Sequence, residues 1–189
     1  MTEAVAVDSL SRRFGRQWAV RQASATFSAG AVHVIIGHNG AGKSTLLALM
    51  AGALRPTEGQ VRVLGTPVED ADASLRRRLA WLPHKPFVYP DLTGFETLAF
   101  VAQLYGRSPD DATLEALLER VGVGAAGHRK VGTYSRGMTQ RLALASVLVQ
   151  EADVWLLDEP TTGLDDAGQA MLVEVLRDAR EAGRCVLVV

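Results

Sequence analysis

A glycine-rich stretch, GHNGAGKST (Gly37–Thr45), constrains the fold of this chain more than any other feature. It follows the β-branched run Val32–Ile36, which predicts a strand covered on both faces, and it precedes a helical pattern from Lys43 to about Ala53. The spacing matches G-x-x-x-x-G-K-[ST], a turn between a strand and a helix that wraps a bound phosphate. The sequence therefore predicts a phosphate-binding turn in an α/β fold.

The residue types of this turn suit a triphosphate and its metal ion. Glycines let a phosphate approach the backbone, and the N–H groups of the turn form an anion-binding concavity at the positive end of a helix. We expect Lys43 to reach the β- and γ-phosphates and the Ser44 hydroxyl to bind Mg²⁺. The nucleotide-binding residues predicted in the turn are Gly37, His38, Asn39, Gly40, Ala41, Gly42, Lys43, Ser44 and Thr45.

A second strand, in VWLLDEP (Val154–Pro160), predicts the carboxylates of the same site. Asp158 follows four apolar residues, so it emerges at the carboxyl end of a buried strand, where ligands bind in open α/β sheets. We expect Asp158 to hold Mg²⁺, directly or through water, and Glu159 to orient or deprotonate the water that attacks the γ-phosphate. The alternative is that two acidic residues merely end a strand before Pro160.

The remaining pattern predicts an α/β fold with a mostly parallel sheet flanked by helices, an antiparallel β part at the N-terminus and an inserted helical subdomain. Predicted strands are Glu3–Val7, Ala19–Phe27, Gln60–Leu64, Leu79–Leu82, Val154–Leu157 and Cys185–Val189. Predicted helices are Thr93–Tyr105, Asp110–Val121, Ser135–Gln150 and Asp166–Glu181. We interpret residues 1–189 as one domain, with a nucleotide-binding core at 1–84 and 151–189 and the helical subdomain at 85–150.

Composition excludes some classes of partner. The net charge of −1 provides no overall basic field, so we expect no nucleic-acid partner. The single cysteine, Cys185, lies in an apolar stretch and is predicted to be a small buried residue. No run of about 18 apolar residues predicts a transmembrane helix, so any membrane role must come through another protein.

The order of these motifs resembles that of the ATP-binding cassette (ABC) ATPases over the whole chain. The family's signature, usually LSGGQ, corresponds to YSRGM (Tyr134–Met138) at the start of a predicted helix. The resemblance implies that two cassettes pack head to tail, each ATP lying between one P-loop and the signature of a second ABC ATPase subunit, in a homo- or heterodimer. The signature residues implied to act across the dimer are Ser135, Arg136, Gly137 and Met138. From the residues alone, Ser135 is equally a helix cap.

The resemblance assigns roles to three further residues. Phe14 corresponds to the aromatic that stacks on adenine, although a core aromatic is the alternative. Asp165 lies in the D-loop, which contacts the opposite subunit. His84 replaces a Gln that touches Mg²⁺ and the attacking water, so it is a candidate catalytic residue, and we expect its protonation to lower ATPase activity. Together with LTGFETL (Leu92–Leu98), His84 resembles the haem-exporter ATPases of cytochrome c maturation.

The chain ends at Val189, whereas in the family a histidine that contacts the γ-phosphate follows this strand. Either the sequence is truncated or the protein lacks that group. We expect ATP binding to survive this loss, with hydrolysis in doubt. We also expect the last strand to lack a neighbour and to leave an exposed apolar edge.

The favoured interpretation is the ATP-binding and ATP-hydrolysing subunit of an ABC membrane transporter, with features of an exporter. Such a subunit lies on the cytoplasmic face of the membrane, held by a separate transmembrane permease. In this interpretation Phe87–Pro90 docks on that permease. The alternative is that these residues are buried in the apolar core. A P-loop small-molecule kinase is the second hypothesis, and a non-transport cassette of DNA repair or translation is the third.

Overall fold

The computed structural model describes residues 2–189, which form two four-stranded sheets with helices packed on them. The strands are β1 (Glu3–Phe14), β2 (Gln17–Ser28), β3 (Ala31–Val34), β4 (Glu58–Val63), β5 (Thr66–Pro67), β6 (Leu79–Leu82), β7 (Val154–Leu157) and β8 (Cys185–Val188). The α-helices are α1 (Lys43–Met50), α2 (Ala73–Arg76), α3 (Gly94–Leu104), α4 (Asp111–Arg120), α5 (Arg136–Gln150) and α6 (Asp166–Glu181). The predicted α/β class and the antiparallel N-terminal part are confirmed.

The antiparallel sheet has the strand order β2-β1-β4-β5. β1 continues well past the predicted end at Val7, because the polar residues that follow form the outer part of a long hairpin with β2. The pairing carries register shifts between Val7 and Leu10 and again near Arg12, so the hairpin is irregular there. Val5, Leu10 and Val63 fill the inner face of this sheet.

The parallel sheet has the strand order β3-β8-β7-β6, and this order corrects two expectations. The last strand has neighbours on both sides, because α6 returns the chain to the gap between β3 and β7. β3 is therefore an edge strand of the described sheet. Its first three residues are half-buried, its last residue Val34 is 64% exposed, and Ile36 beyond it is 90% exposed, so the prediction of a strand covered on both faces is wrong.

Helix ends follow the capping residues in the sequence. Side chains of Thr93, Asp110, Ser135 and Asp165 each accept a backbone N–H bond at a helix start, which is why the predicted helices begin where they do. α1 ends before Ala53, since Gly52 adopts the left-handed conformation that closes a helix. Within residues 2–189, no helix is both long and apolar enough to cross a bilayer.

Candidate phosphate and metal site

The glycine-rich turn joins β3 to α1 and rests on the N-terminal hairpin. Gly42 precedes the first residue of α1 with φ of 89°, in the left-handed region. A Cβ at Gly42 would overlap the carbonyl oxygen of Ala19 in β2 and lie 3.0 Å from its carbonyl carbon. Gly40 also has a positive φ, of 82°, but a Cβ there would have open space around it. Packing against β2 therefore requires a glycine at position 42, whereas at Gly40 no neighbouring atom would contact an added side-chain carbon.

A cavity of about 270 Å³ opens over this turn. Lys43 Nζ extends along one side and donates hydrogen bonds to the carbonyl oxygens of Gly37 (2.8 Å) and His38 (3.1 Å). A lysine and the N-terminus of α1 therefore place positive charge at the cavity, which favours an anionic ligand. The lining residues are Ala19, Asn39, Gly40, Gly42, Lys43, Ser44, Thr45 and Glu159.

A hydroxyl and a carboxylate meet beside the cavity. Ser44 Oγ donates a 3.0 Å hydrogen bond to Asp158 Oδ1, although 114 residues separate the two in sequence. Asp158 is almost fully buried and follows β7 directly. The two oxygens suit Mg²⁺, which takes one or two protein ligands and completes its shell with water and phosphate oxygens. Residues 2–189 contain no cluster of three or more His, Cys, Asp or Glu side chains that would hold a metal alone.

Glu159 reaches the cavity from a backbone conformation unusual for a glutamate. Its φ is 48°, in the left-handed region, and its Oε2 lies 3.2 Å from Nδ1 of His84. Thr162 Oγ1 donates to the same oxygen at 3.2 Å. His84 lies just beyond β6, which pairs in parallel with β7, so the ends of neighbouring strands bring these two side chains together. A carboxylate held this way can accept a proton from a water molecule.

Phe14 lies at the end of β1, and its side chain is exposed rather than part of the core. The guanidinium carbon of Arg12 lies 4.7 Å from the centre of the Phe14 ring, a cation–π arrangement that covers one face. Arg12 Nη1 also donates to the Arg55 carbonyl oxygen at 2.9 Å. An exposed ring fixed in this way can stack on a flat aromatic ligand, whereas the alternative of a core aromatic is excluded.

The YSRGM segment forms the start of α5, away from the cavity lining. Ser135 caps α5, accepting a 3.2 Å hydrogen bond from the Met138 backbone N–H, and its side chain is exposed. Gly137 packs so tightly on the loop before α6 that a Cβ would lie 2.7 Å from the carbonyl oxygen of Gly163. None of Ser135, Arg136, Gly137 and Met138 lines the cavity in the described part of this single chain.

Asp165 has partners within its own chain. It accepts a 3.0 Å hydrogen bond from the Gly168 backbone N–H at the start of α6, and it pairs with the guanidinium of Arg141 on α5. The Gly168 hydrogen bond, followed by the contact with Arg141, holds the pKa of the Asp165 carboxyl below its usual value. The carboxylate therefore fastens the loop before α6 to the helix that begins with YSRGM.

The structure divides the predicted site residues into separate groups. The cavity is lined by Glu159 and by six residues of the turn: Asn39, Gly40, Gly42, Lys43, Ser44 and Thr45. Asp158 contacts Ser44, and His84 contacts Glu159. Phe14 and the signature residues lie elsewhere on the described surface. Reasoning from sequence missed the packing of Ala19 against Gly42 and the role of Arg12, because neither contact leaves a local pattern in the sequence.

The fold and this site are those of a P-loop nucleoside triphosphatase of the ABC type. The family model described as "ABC transporter" matches residues 20–162, and the chain belongs to that family as one of its ATP-binding proteins. The chain is 37% identical over 161 residues to the cytochrome c biogenesis ATP-binding export protein CcmA of Cupriavidus pinatubonensis, covering 85% of this chain and 71% of that protein.

A second relative and a solved structure agree with this assignment. The Nod factor export ATP-binding protein I of Burkholderia lata is 35% identical over 182 residues, and this chain spans 60% of its length. A solved structure of an ATP-binding subunit of an ABC transporter superposes with a TM-score of 0.90 at 27% identity, over 98% of this chain and 78% of that one.

Proposed function

We propose that this protein binds and hydrolyses ATP as the nucleotide-binding subunit of a membrane transporter, with export as the direction of transport. The observation that carries the proposal is the convergence of Lys43, the Ser44–Asp158 pair and Glu159 at one cavity. Each group supplies a part that phosphoryl transfer to water requires: phosphate binding, a metal ligand and a base. The printed roles of two relatives, both export proteins, support the direction.

The chain's own residues divide the work. Lys43 Nζ exchanges its two carbonyl partners for β- and γ-phosphate oxygens, and the N–H groups of the turn bind the same phosphates. Ser44 and Asp158 would hold Mg²⁺, which neutralises charge on the phosphates when bound. Glu159 accepts a hydrogen bond from a water and orients it towards the γ-phosphorus, while His84 and Thr162 hold its carboxylate in place.

The second half of the nucleotide site is proposed to come from another cassette, either a second copy or a related chain. The start of α5 is exposed at Ser135 and Arg136, presents the positive end of the helix dipole and lies apart from the cavity of its own chain. Ser135 and the N–H groups near Gly137 would bind the γ-phosphate held by the partner, with Arg136 and Met138 beside them. The loop at Asp165 would adjoin the same partner.

An exposed apolar patch is proposed to dock on a separate transmembrane permease, which would hold this subunit at the inner, cytoplasmic face of the membrane. The patch comprises Phe87, Tyr89, Phe100 and Leu104, with the rings of Tyr89 and Phe100 in edge contact at 5.5 Å. Val88 packs on the core, whereas Phe87 and Tyr89 are exposed. The stretch Phe87–Pro90 therefore contains both a core residue and residues available for docking. Such apolar exposure is typical of an interaction surface.

Haem export in cytochrome c biogenesis is the finer proposal about cargo. It rests on His84 and on the similarity to CcmA. Deleting the gene in its host should then remove mature c-type cytochromes. Normal cytochrome c levels in that strain would reject haem as the cargo and leave the ATPase proposal unaffected.

Phosphate release from Mg-ATP tests the ATPase proposal. We expect Lys43→Ala to abolish ATP binding and Glu159→Gln to retain binding while stopping phosphate release. Glu174→Gln, on the exposed face of α6, serves as the matched control and should behave as the unmodified protein. Transfer of the γ-phosphate to a nucleoside or sugar would instead establish the kinase hypothesis, and binding to DNA or ribosomes at physiological salt the non-transport one.

A further inference from the structure

One buried polar side chain of α5 contacts the turn that carries Glu159. Gln140 is 5% exposed, and its Nε2 donates a 3.1 Å hydrogen bond to the carbonyl oxygen of Pro160. Pro160 is itself buried. Removing the Gln140 amide would therefore leave the Pro160 carbonyl oxygen buried without this hydrogen bond. A buried carbonyl left without a partner is costly, and the bond therefore constrains the turn.

The turn needs such a constraint because its backbone is strained. Glu159 is not a glycine, yet its φ is 48°. Conformations of this kind persist only where surrounding contacts determine them. The Glu159 N–H donates to the Val189 carbonyl oxygen at 3.0 Å, and the Thr162 N–H donates to the Glu159 carbonyl oxygen at 3.1 Å. Gln140 adds a contact from outside the strand and the turn.

We propose that Gln140 is a positioning residue that fixes the Glu159–Pro160 turn and so aims the Glu159 carboxylate at the cavity. The inference rests on the proposed function, in which Glu159 orients the attacking water. Gln140 does not line the cavity, so we infer that it acts through the backbone of the turn. A displacement of about 1 Å in such a group is enough to reduce a reaction rate about a hundredfold.

A second contact joins the same helix to the far end of this turn. Gly137, one turn before Gln140 on α5, packs against the Gly163 carbonyl oxygen so closely that no side chain fits between them. α5 thus holds the segment from Pro160 to Gly163 at both ends. Because Ser135 caps the start of α5, the helix end proposed to meet the partner's nucleotide also fixes the position of this subunit's own Glu159.

Gln140→Met tests the inference, with Gln150→Met as its matched control. Gln150 lies on the same helix, is 6% exposed, and donates its Nε2 hydrogen bond to Ser146 of its own helix at 2.7 Å. Methionine keeps the side-chain volume and removes the donor in both variants. We expect Gln140→Met to lower kcat by roughly ten- to a hundredfold with KM and ATP affinity unchanged. Gln150→Met should leave kcat unchanged.

Amide hydrogen exchange gives a second measurement that needs no hydrolysis. The Glu159 and Thr162 amides should exchange faster in Gln140→Met than in Gln150→Met, because their hydrogen bonds depend on the turn. Equal exchange and equal kcat in the two variants would overturn the positioning role. Absence of hydrolysis in the unmodified protein would count against the proposed function instead, and the exchange comparison would still decide the role of Gln140.

Discussion

Substituting alanine for Gly42 or for Gly40 should separate what packing requires of the glycine-rich turn from what the ligand requires. Both residues have positive φ, of 89° and 82°, so an alanine at either position bears the left-handed backbone cost of about 1–2 kcal/mol. At Gly42 the new methyl group would also overlap the Ala19 carbonyl, which must then move by on the order of 1 Å.

The overlap at Gly42 adds about 1–3 kcal/mol, as overpacking usually does. The total for Gly42→Ala is then about 2–5 kcal/mol, against about 1–2 kcal/mol for Gly40→Ala. For a chain of this size each kcal/mol lowers Tm by about 2–4 °C, which gives roughly 4–20 °C for Gly42→Ala and roughly 2–8 °C for Gly40→Ala.

Thermal unfolding without nucleotide, followed by circular dichroism, measures both values. ATP binding measured below the transition supplies the complementary result: Gly40→Ala should weaken it, because its methyl group enters the open space over the cavity. A Tm for Gly42→Ala equal to or above that of Gly40→Ala would refute the packing of the turn on β2.

Three further predictions address other residues. Phe14→Ala should weaken ATP binding severalfold and leave tripolyphosphate binding unchanged, in parallel titrations, because only the base stacks on the ring; equal losses would reject stacking. Burial raises the pKa of the Cys185 thiol to about 11 from 9. Between pH 9 and pH 11 the folded state therefore keeps the proton that the unfolded state loses, and the free energy of unfolding should fall by about 1.4 kcal/mol per pH unit. Cys185→Ala should flatten this alkaline slope in urea titrations, and an unchanged slope would contradict the burial. His84→Ala should lower kcat and leave ATP binding intact, because it removes the 3.2 Å contact between His84 Nδ1 and Glu159 Oε2; an unchanged kcat would reject this role.

Helices and strands whose ends are set by residues close in sequence were predicted with the correct bounds. Val154–Leu157 and Asp166–Glu181 have their predicted bounds, since an apolar run and an aspartate cap define them. The prediction that β3 is covered on both faces is wrong, because the cover of a strand depends on its neighbours in the sheet, and β3 lies at the edge of the described sheet. A β-branched run indicates a strand but carries no information about its neighbours.

The site shows the same division between local and distant information. The turn at Gly37–Thr45 is a contiguous motif, so its position between a strand and a helix could be predicted. The left-handed φ of Glu159 and its support by Gln140 could not be predicted, because the hydrogen bond from Gln140 forms only when α5 packs against the segment that follows β7. Contacts between distant segments are absent from any local pattern.

The central claim is that two cassettes enclose ATP, with the turn at Lys43 from one and the helix start at Ser135 from the other. Light scattering of Glu159→Gln protein during gel filtration with Mg-ATP tests it most directly, because slow hydrolysis preserves the enclosed nucleotide. The account predicts a mass of twice the 20.2 kDa of this chain with Mg-ATP and a monomer without it. Adding Ser135→Ala should weaken the dimer. A monomer at saturating Mg-ATP, unaffected by Ser135→Ala, would contradict the enclosure of ATP by two copies of this chain.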